Sequence, residues 1–286
     1  MLRFIALYGI LAMKTSANPV AVGSTGKLKN DIAMPYDFTI GNVITESWQR
    51  VKGVKATCWG AISLYVLIYL GIMILGLIAT YLYAGSLNPD LAAVQIPNAI
   101  TRILAALITF PLPFGIAFIA IRRSVNLPVQ ARQIFDTYQH YWKILGTLVI
   151  LYVTFFLIAF VTLFVIEFLS AIVIKNNGIA PGWLHGILIL IGTFGGLTGI
   201  YFIFALSYAP LLVIEKPVGV LQAIKTSFLA FKQHGLKIII TWVVMIVIYL
   251  VSAIPLGIGL IWTIPMLFNC SGLLYRIQFG VEESNY

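Results

Sequence analysis

Long apolar runs separated by short basic segments organise this chain. Cys58 to Ala84 contains no charged residue, and Ile100 to Ile121 carries only Arg102, with Pro111 and Pro113 near its middle. Ile144 to Ile174 carries only Glu167, and Trp183 to Ile214 has no formal charge. A bilayer hydrocarbon core is about 30 Å thick, and a helix rising ~1.5 Å per residue crosses it in roughly 20 residues. Each of these runs is long enough for one crossing. The uncharged stretch from Ile238 to Tyr275 is too long for one, and Ser252, Pro255, Gly257 and Gly259 supply the turn that divides it. Lipid offers no hydrogen bonds to an open backbone, so apolar runs of this length cross as helices. The pattern therefore predicts an all-α polytopic bundle of six spans.

The segments between the spans have a different period. Ile40, Val43, Ile44, Trp48 and Val51 fall at helical spacing before the first span, as do Ile134, Tyr138 and Tyr141 before the third. Leu221, Ile224, Phe228 and Phe231 do so before the fifth. A constant shift of 90 residues superposes Ile44, Ile134 and Ile224 as well as Ser47, Thr137 and Ser227. Trp48, Tyr138 and Phe228 form a third column, and Val51, Tyr141 and Phe231 a fourth. The expected unit is an interfacial amphipathic helix followed by a transmembrane hairpin, repeated in parallel at about 34–123, 124–213 and 214–286.

Composition agrees: 60% of residues are hydrophobic and 9% charged, too few charges to coat a soluble fold. The net charge is +9. In a soluble protein it would suggest nucleic acid; here it reads as basic loops against anionic lipid. Lys27, Lys29, Arg50, Lys52, Lys55, Arg122, Arg123, Arg132, Lys143, Lys216, Lys225, Lys232, Lys237 and Arg276 fall on one side, against Arg102 and Lys175 on the other. The positive-inside bias then places both ends in the cytoplasm. Trp59, Tyr81, Tyr83, Tyr141, Trp142, Trp183 and Tyr275 are expected at the headgroup level. Residues 1–33 open with Arg3 and a short apolar run and continue polar. They are expected to be an interfacial or disordered leader, a signal peptide or sequence upstream of a start at Met34 being the alternatives.

Candidate chemistry is sparse. Glu167 is the one acid within a span, so it either reaches the far headgroups beside Lys175 or faces a polar cavity. Arg50, Lys52, Arg132, Lys225 and Lys232 lie on the polar faces of the interfacial segments and are expected to meet anionic headgroups. Gly192, Gly195, Gly196 and Gly199 form small-xxx-small pairs, suited to helix packing inside the bundle or in a homodimer. Cys58 and Cys270 have no metal or disulfide spacing, and His140, His185 and His234 occur singly, so no metal or cofactor is expected. With no nucleophile-elbow, zincin or phosphate-loop motif, no enzyme is expected either.

The run Ala205 to Phe228 is the most distinctive stretch. In it Pro210, Glu215, Lys216, Ala223, Ile224 and Ser227 resemble the junction between spans four and five in a loose group of bacterial six-span inner-membrane proteins. That group includes the YciC-like proteins, the DUF975 proteins and the membrane domain attached to some glycerophosphodiester phosphodiesterases. The resemblance implies six spans in a bacterial inner membrane and carries no phosphodiesterase activity, since no catalytic domain accompanies it. Three functions are compatible with the sequence: lipid handling, lipid sensing or envelope maintenance; a small-molecule permease with a path near Glu167; or a scaffold for other membrane proteins.

Overall fold

The computed structural model describes residues 38–84, 91–177 and 182–281. The expected leader at 1–33 lies outside them. Every regular element among the described residues is helical. In chain order these are α1 (Ile40–Gln49), α2 (Lys55–Ala84), α3 (Leu91–Thr109), α4 (Leu112–Ser124), a 3₁₀ helix (Ala131–His140), α5 (Tyr141–Asn177), α6 (Gly182–Leu206), α7 (Ala209–Glu215), α8 (Val220–Ala253) and α9 (Leu260–Phe279). Six helical stretches are long and apolar enough to cross a bilayer, and the chain is an integral membrane protein.

The apolar runs convert into helices with two breaks. The second span is divided at Phe110–Pro111 into α3 and α4, and the fourth at Ser207–Tyr208 into α6 and α7. Proline lacks an N–H and its ring crowds the carbonyl four residues earlier, so Pro111 and Pro210 start the second halves rather than continue the first. In a membrane the freed carbonyls need donors. Tyr141 Oη donates to Leu107 O at 3.1 Å and Tyr138 Oη to Ile108 O at 2.5 Å, while Thr137 Oγ1 adds a bond at 3.2 Å to Pro111 O, which already accepts from Phe114 and Gly115 N–H. At the second break Ser227 Oγ donates to Ala205 O at 2.7 Å. Pro265 sits inside α9, and the carbonyl it would crowd, Ile261 O, accepts Trp59 Nε1–H at 3.2 Å.

The turn at Ser252–Gly259 falls where the sequence places it. α8 ends at Ala253, Leu256 and Gly257 take positive φ values of 52° and 75°, and α9 begins at Leu260. Thr263 Oγ1 donates to Ser252 Oγ across the turn at 2.7 Å.

The interfacial segments differ from the expected three free-standing helices. Only α1 is separate from its span. The second segment is a 3₁₀ helix running directly into α5, and the third is the first part of the unbroken α8. This accounts for a change of spacing. Val43 and Ser47, and Ala223 and Ser227, are buried pairs four residues apart, whereas Ile134 and Thr137 are a buried pair three apart. An α-helix stacks residues i and i+4; a 3₁₀ helix eclipses i and i+3.

The core lies at the basic side. It is built from the basic-side halves of the three return spans: α4, α7 and the part of α9 from Thr263 to Tyr275. The amphipathic segments close a ring around them. The 3₁₀ helix packs on α4, the start of α8 packs on α6 and α7, and α1 packs on α9. Asn269 Nδ2–H donates to Ser47 O at 3.2 Å and joins the first amphipathic segment to the last span. Two crossings admit only glycine: a Cβ on Gly272 would collide with the Ala120 carbonyl, and one on Gly115 would collide with that of Ile134. Beyond this floor the helices of the first two hairpins pack mainly on each other, α2 with α3 and α5 with α6. Their large apolar side chains, including Leu67, Leu75, Phe156, Leu163, Leu190 and Phe194, face outward, as lipid-facing surfaces do.

Candidate functional site: a basic floor and two lateral grooves

The floor's ionic groups come from α1, α4, the 3₁₀ helix, α9 and the end of α7. Glu46, on α1, accepts at Oε1 from Arg50 Nη2 (2.7 Å), Arg50 Nε (2.9 Å) and Arg276 Nη2 (3.0 Å). Arg50 Nη1 also donates to Arg123 O at 2.9 Å and Asn126 Oδ1 at 2.8 Å, while Arg276 donates to Ser124 O. Two guanidiniums thus cap the C-terminus of α4, where the helix dipole is negative and the last carbonyls lack partners. Arg122 pairs with Asp136 at 3.3 Å, and Lys216 Nζ donates to Phe279 O at 2.5 Å at the end of α9.

Arg50 is therefore not a headgroup contact as its place on a polar face suggested. Its guanidinium is turned inward, bonds Glu46 one helical turn before it and holds α1 to α4, while Glu46 ties α1 to Arg276 of α9. Lys52, Arg132, Lys225 and Lys232 are exposed. Tyr275 likewise departs from the expected headgroup level: it is fully buried and donates its hydroxyl to Glu215 Oε2 at 2.9 Å. Glu215 is only 4% exposed. The sequence reading missed it as a buried acid, although the junction containing Pro210, Glu215 and Lys216 was its most distinctive stretch. Asn269 Oδ1 is buried without a hydrogen-bond partner among the described residues. Cys58 and Cys270 are buried free thiols, and no cluster among the described residues could hold a metal ion.

The far half is apolar. Glu167 is exposed on α5 and has no ion-pair or hydrogen-bond partner among the described residues. It lies 24 residues beyond Lys143 on one unbroken helix, about 36 Å along the axis, more than a hydrocarbon thickness. Of the four span-four glycines, three face α5. A Cβ on Gly195 would come within 3.0 Å of Thr162 Cβ, Gly199 abuts Phe155 and Gly192 lies beside Ile166. Gly196 faces open space.

Each of the two outer hairpins carries a lateral groove. Between α5 and α6 it measures about 640 Å³ and is lined by Leu157, Ile158, Val161, Val165, Leu190, Ile191 and Phe194, with Thr162, Gly195 and Thr198. Between α2 and α3 it measures about 290 Å³, lined by Leu70, Met73, Ile74 and Leu77 with Asn98, Thr101 and Arg102. Apolar grooves open to the side of a transmembrane hairpin have the shape and chemistry to take acyl chains. No family model, no curated protein and no solved structure matches the chain.

Proposed function

We propose that this chain is a non-enzymatic membrane protein that holds or senses phospholipid and so supports a bacterial envelope. In this reading it is a bacterial inner-membrane protein with the basic floor and both ends in the cytoplasm, as the charge bias implies. Its three interfacial segments and hairpins are repeats, each presenting an equivalent buried hydroxyl, Ser47, Thr137 or Ser227, to the core. The resemblance of the span four–five junction to YciC-like proteins is in keeping with that location.

The observation that carries the reading is the α5–α6 groove: about 640 Å³, almost wholly apolar and open laterally. A solute path would need polar groups in sequence through the bundle, and Glu167 stands on an outer helix surface away from both grooves. Lys52, Arg132, Lys225 and Lys232 extend from the floor, where each basic side chain near an anionic leaflet contributes about 1 kcal/mol of attraction.

Native mass spectrometry of the purified protein tests this. Phospholipid retained at defined stoichiometry after delipidation is expected, together with a preference for anionic species that weakens when Lys52, Arg132, Lys225 and Lys232 are changed to Glu. A protein that emerges free of lipid would overturn the proposal.

A further inference from the structure

The smaller groove has a feature that the larger one lacks. Arg102 stands on its rim, exposed, with no partner among the described residues and no acidic residue anywhere in α2 or α3. A guanidinium in a span is costly unless it reaches water, a headgroup or a counter-charge.

Its depth follows from α2. Gly76 and Thr101 touch so closely that a Cβ on the glycine would overlap the threonine side chain, and Thr80 Oγ1 lies 3.5 Å from Asn98 Oδ1. Arg102 is therefore level with the Met73–Gly76 turn of α2. That turn is 18 to 21 residues beyond Lys55, which begins α2 at the basic side. At ~1.5 Å per residue the separation is about 27–32 Å, one hydrocarbon thickness. Arg102 thus sits where the phosphates of the far leaflet sit, while Leu70, about one turn nearer the basic side, carries the groove from Met73 and Ile74 toward the bilayer interior.

We infer that the α2–α3 groove is a binding site for one anionic phospholipid of the leaflet opposite the basic floor. Arg102 holds the lipid phosphate through its paired N–H donors, Asn98 and Thr101 supply neutral polar contacts, and an acyl chain lies against Leu70, Met73 and Ile74. A guanidinium suits this role because its fork matches two phosphate oxygens and it never loses its charge. The site is distinct from the basic floor, which meets the other leaflet. It rests on the lipid-holding function proposed above and adds to it a specific residue, leaflet and headgroup charge.

The test uses the full chain in micelles containing equal phosphatidylglycerol and phosphatidylcholine, with bound lipid read by native mass spectrometry. Wild type is expected to retain phosphatidylglycerol selectively. Arg102→Gln should lower that selectivity about fivefold, the factor one basic side chain contributes near an anionic surface. Arg102→Lys should keep most of it, and Ile74→Trp, which fills the groove, should lower occupancy with Arg102 intact. Lys175→Gln, removing the other far-side cation, should change nothing. Unchanged thermal unfolding of Arg102→Gln, an exposed position, confirms that the fold is retained. Wild type without bound phospholipid would overturn the general function and this site together. Selective wild type with selectivity unaltered in Arg102→Gln would overturn this site alone.

Discussion

Replacing Gly272 by alanine isolates the crossing on which the core is built. Gly272 lies on α9 against α4, and a Cβ there would fall within van der Waals distance of the Ala120 carbonyl and 2.9 Å from Ile121 N. Ordinary contact begins near 3.4 Å. The helices would have to separate by about half an ångström to clear the nitrogen, and by more to clear the carbonyl. The obstacle is backbone, and Ala120 and Ile121 are themselves fully buried, so no side chain can swing aside. Overpacking of this kind costs about 1–3 kcal/mol. Alanine offsets up to about 1 kcal/mol through its better helix propensity, leaving a net loss of roughly 1–2 kcal/mol. Gly196→Ala is the matched control, because nothing lies within 4 Å of its Cβ and only the propensity gain remains. Unfolding in a detergent titration, followed by tryptophan fluorescence, should place Gly272→Ala below wild type and Gly196→Ala at or above it. Equal stabilities, or the reverse order, would refute the crossing.

Three further outcomes follow from the same geometry. Arg50→Gln removes the donor to Glu46, Arg123 O and Asn126 and should cost about 2 kcal/mol, whereas Lys52→Gln should stay within about 0.5 kcal/mol in the same titration. Ser227→Ala leaves Ala205 O without its side-chain donor and should cost about 0.6–1.7 kcal/mol; Thr137→Val should cost less, because Pro111 O keeps the backbone N–H groups of Phe114 and Gly115, and Thr193→Val, at an exposed site, close to nothing. Cys58 and Cys270, both fully buried, should resist maleimide in the folded protein and react on unfolding; prompt reaction of either would contradict the packing.

Much of the architecture was legible because length and absence of charge decide a transmembrane span almost alone. The turn between α8 and α9 was legible for a local reason, since Pro255 and Gly257 punctuate an otherwise continuous apolar run. The breaks at Phe110–Pro111 and Ser207–Tyr208 were signalled by Pro111 and Pro210, but how the freed carbonyls are satisfied was not. Their donors, Tyr138, Tyr141 and Ser227, lie 22 to 34 residues away and are placed only by folding. Distance along the chain also hid Glu215. An acid beside a lysine at the end of an apolar run reads as a loop charge until Tyr275, sixty residues on, covers it. Arg50 and Lys52 look alike in the pattern, yet Glu46 four residues before Arg50 distinguished them, because i,i+4 places the two charges on one face. The span-four glycines drew attention by their spacing, while the tighter contacts at Gly115 and Gly272 have no spacing to give them away.

The account depends on the three floor segments lying on one side of the bilayer and the hairpin tips on the other. Single cysteines introduced as Lys52→Cys, Arg132→Cys, Lys225→Cys, Arg102→Cys and Lys175→Cys, probed in intact cells with a membrane-impermeant maleimide, test it most directly. The account predicts labelling from outside at positions 102 and 175, with positions 52, 132 and 225 labelled only after permeabilisation. Labelling of any floor position together with position 102 in intact cells would contradict it.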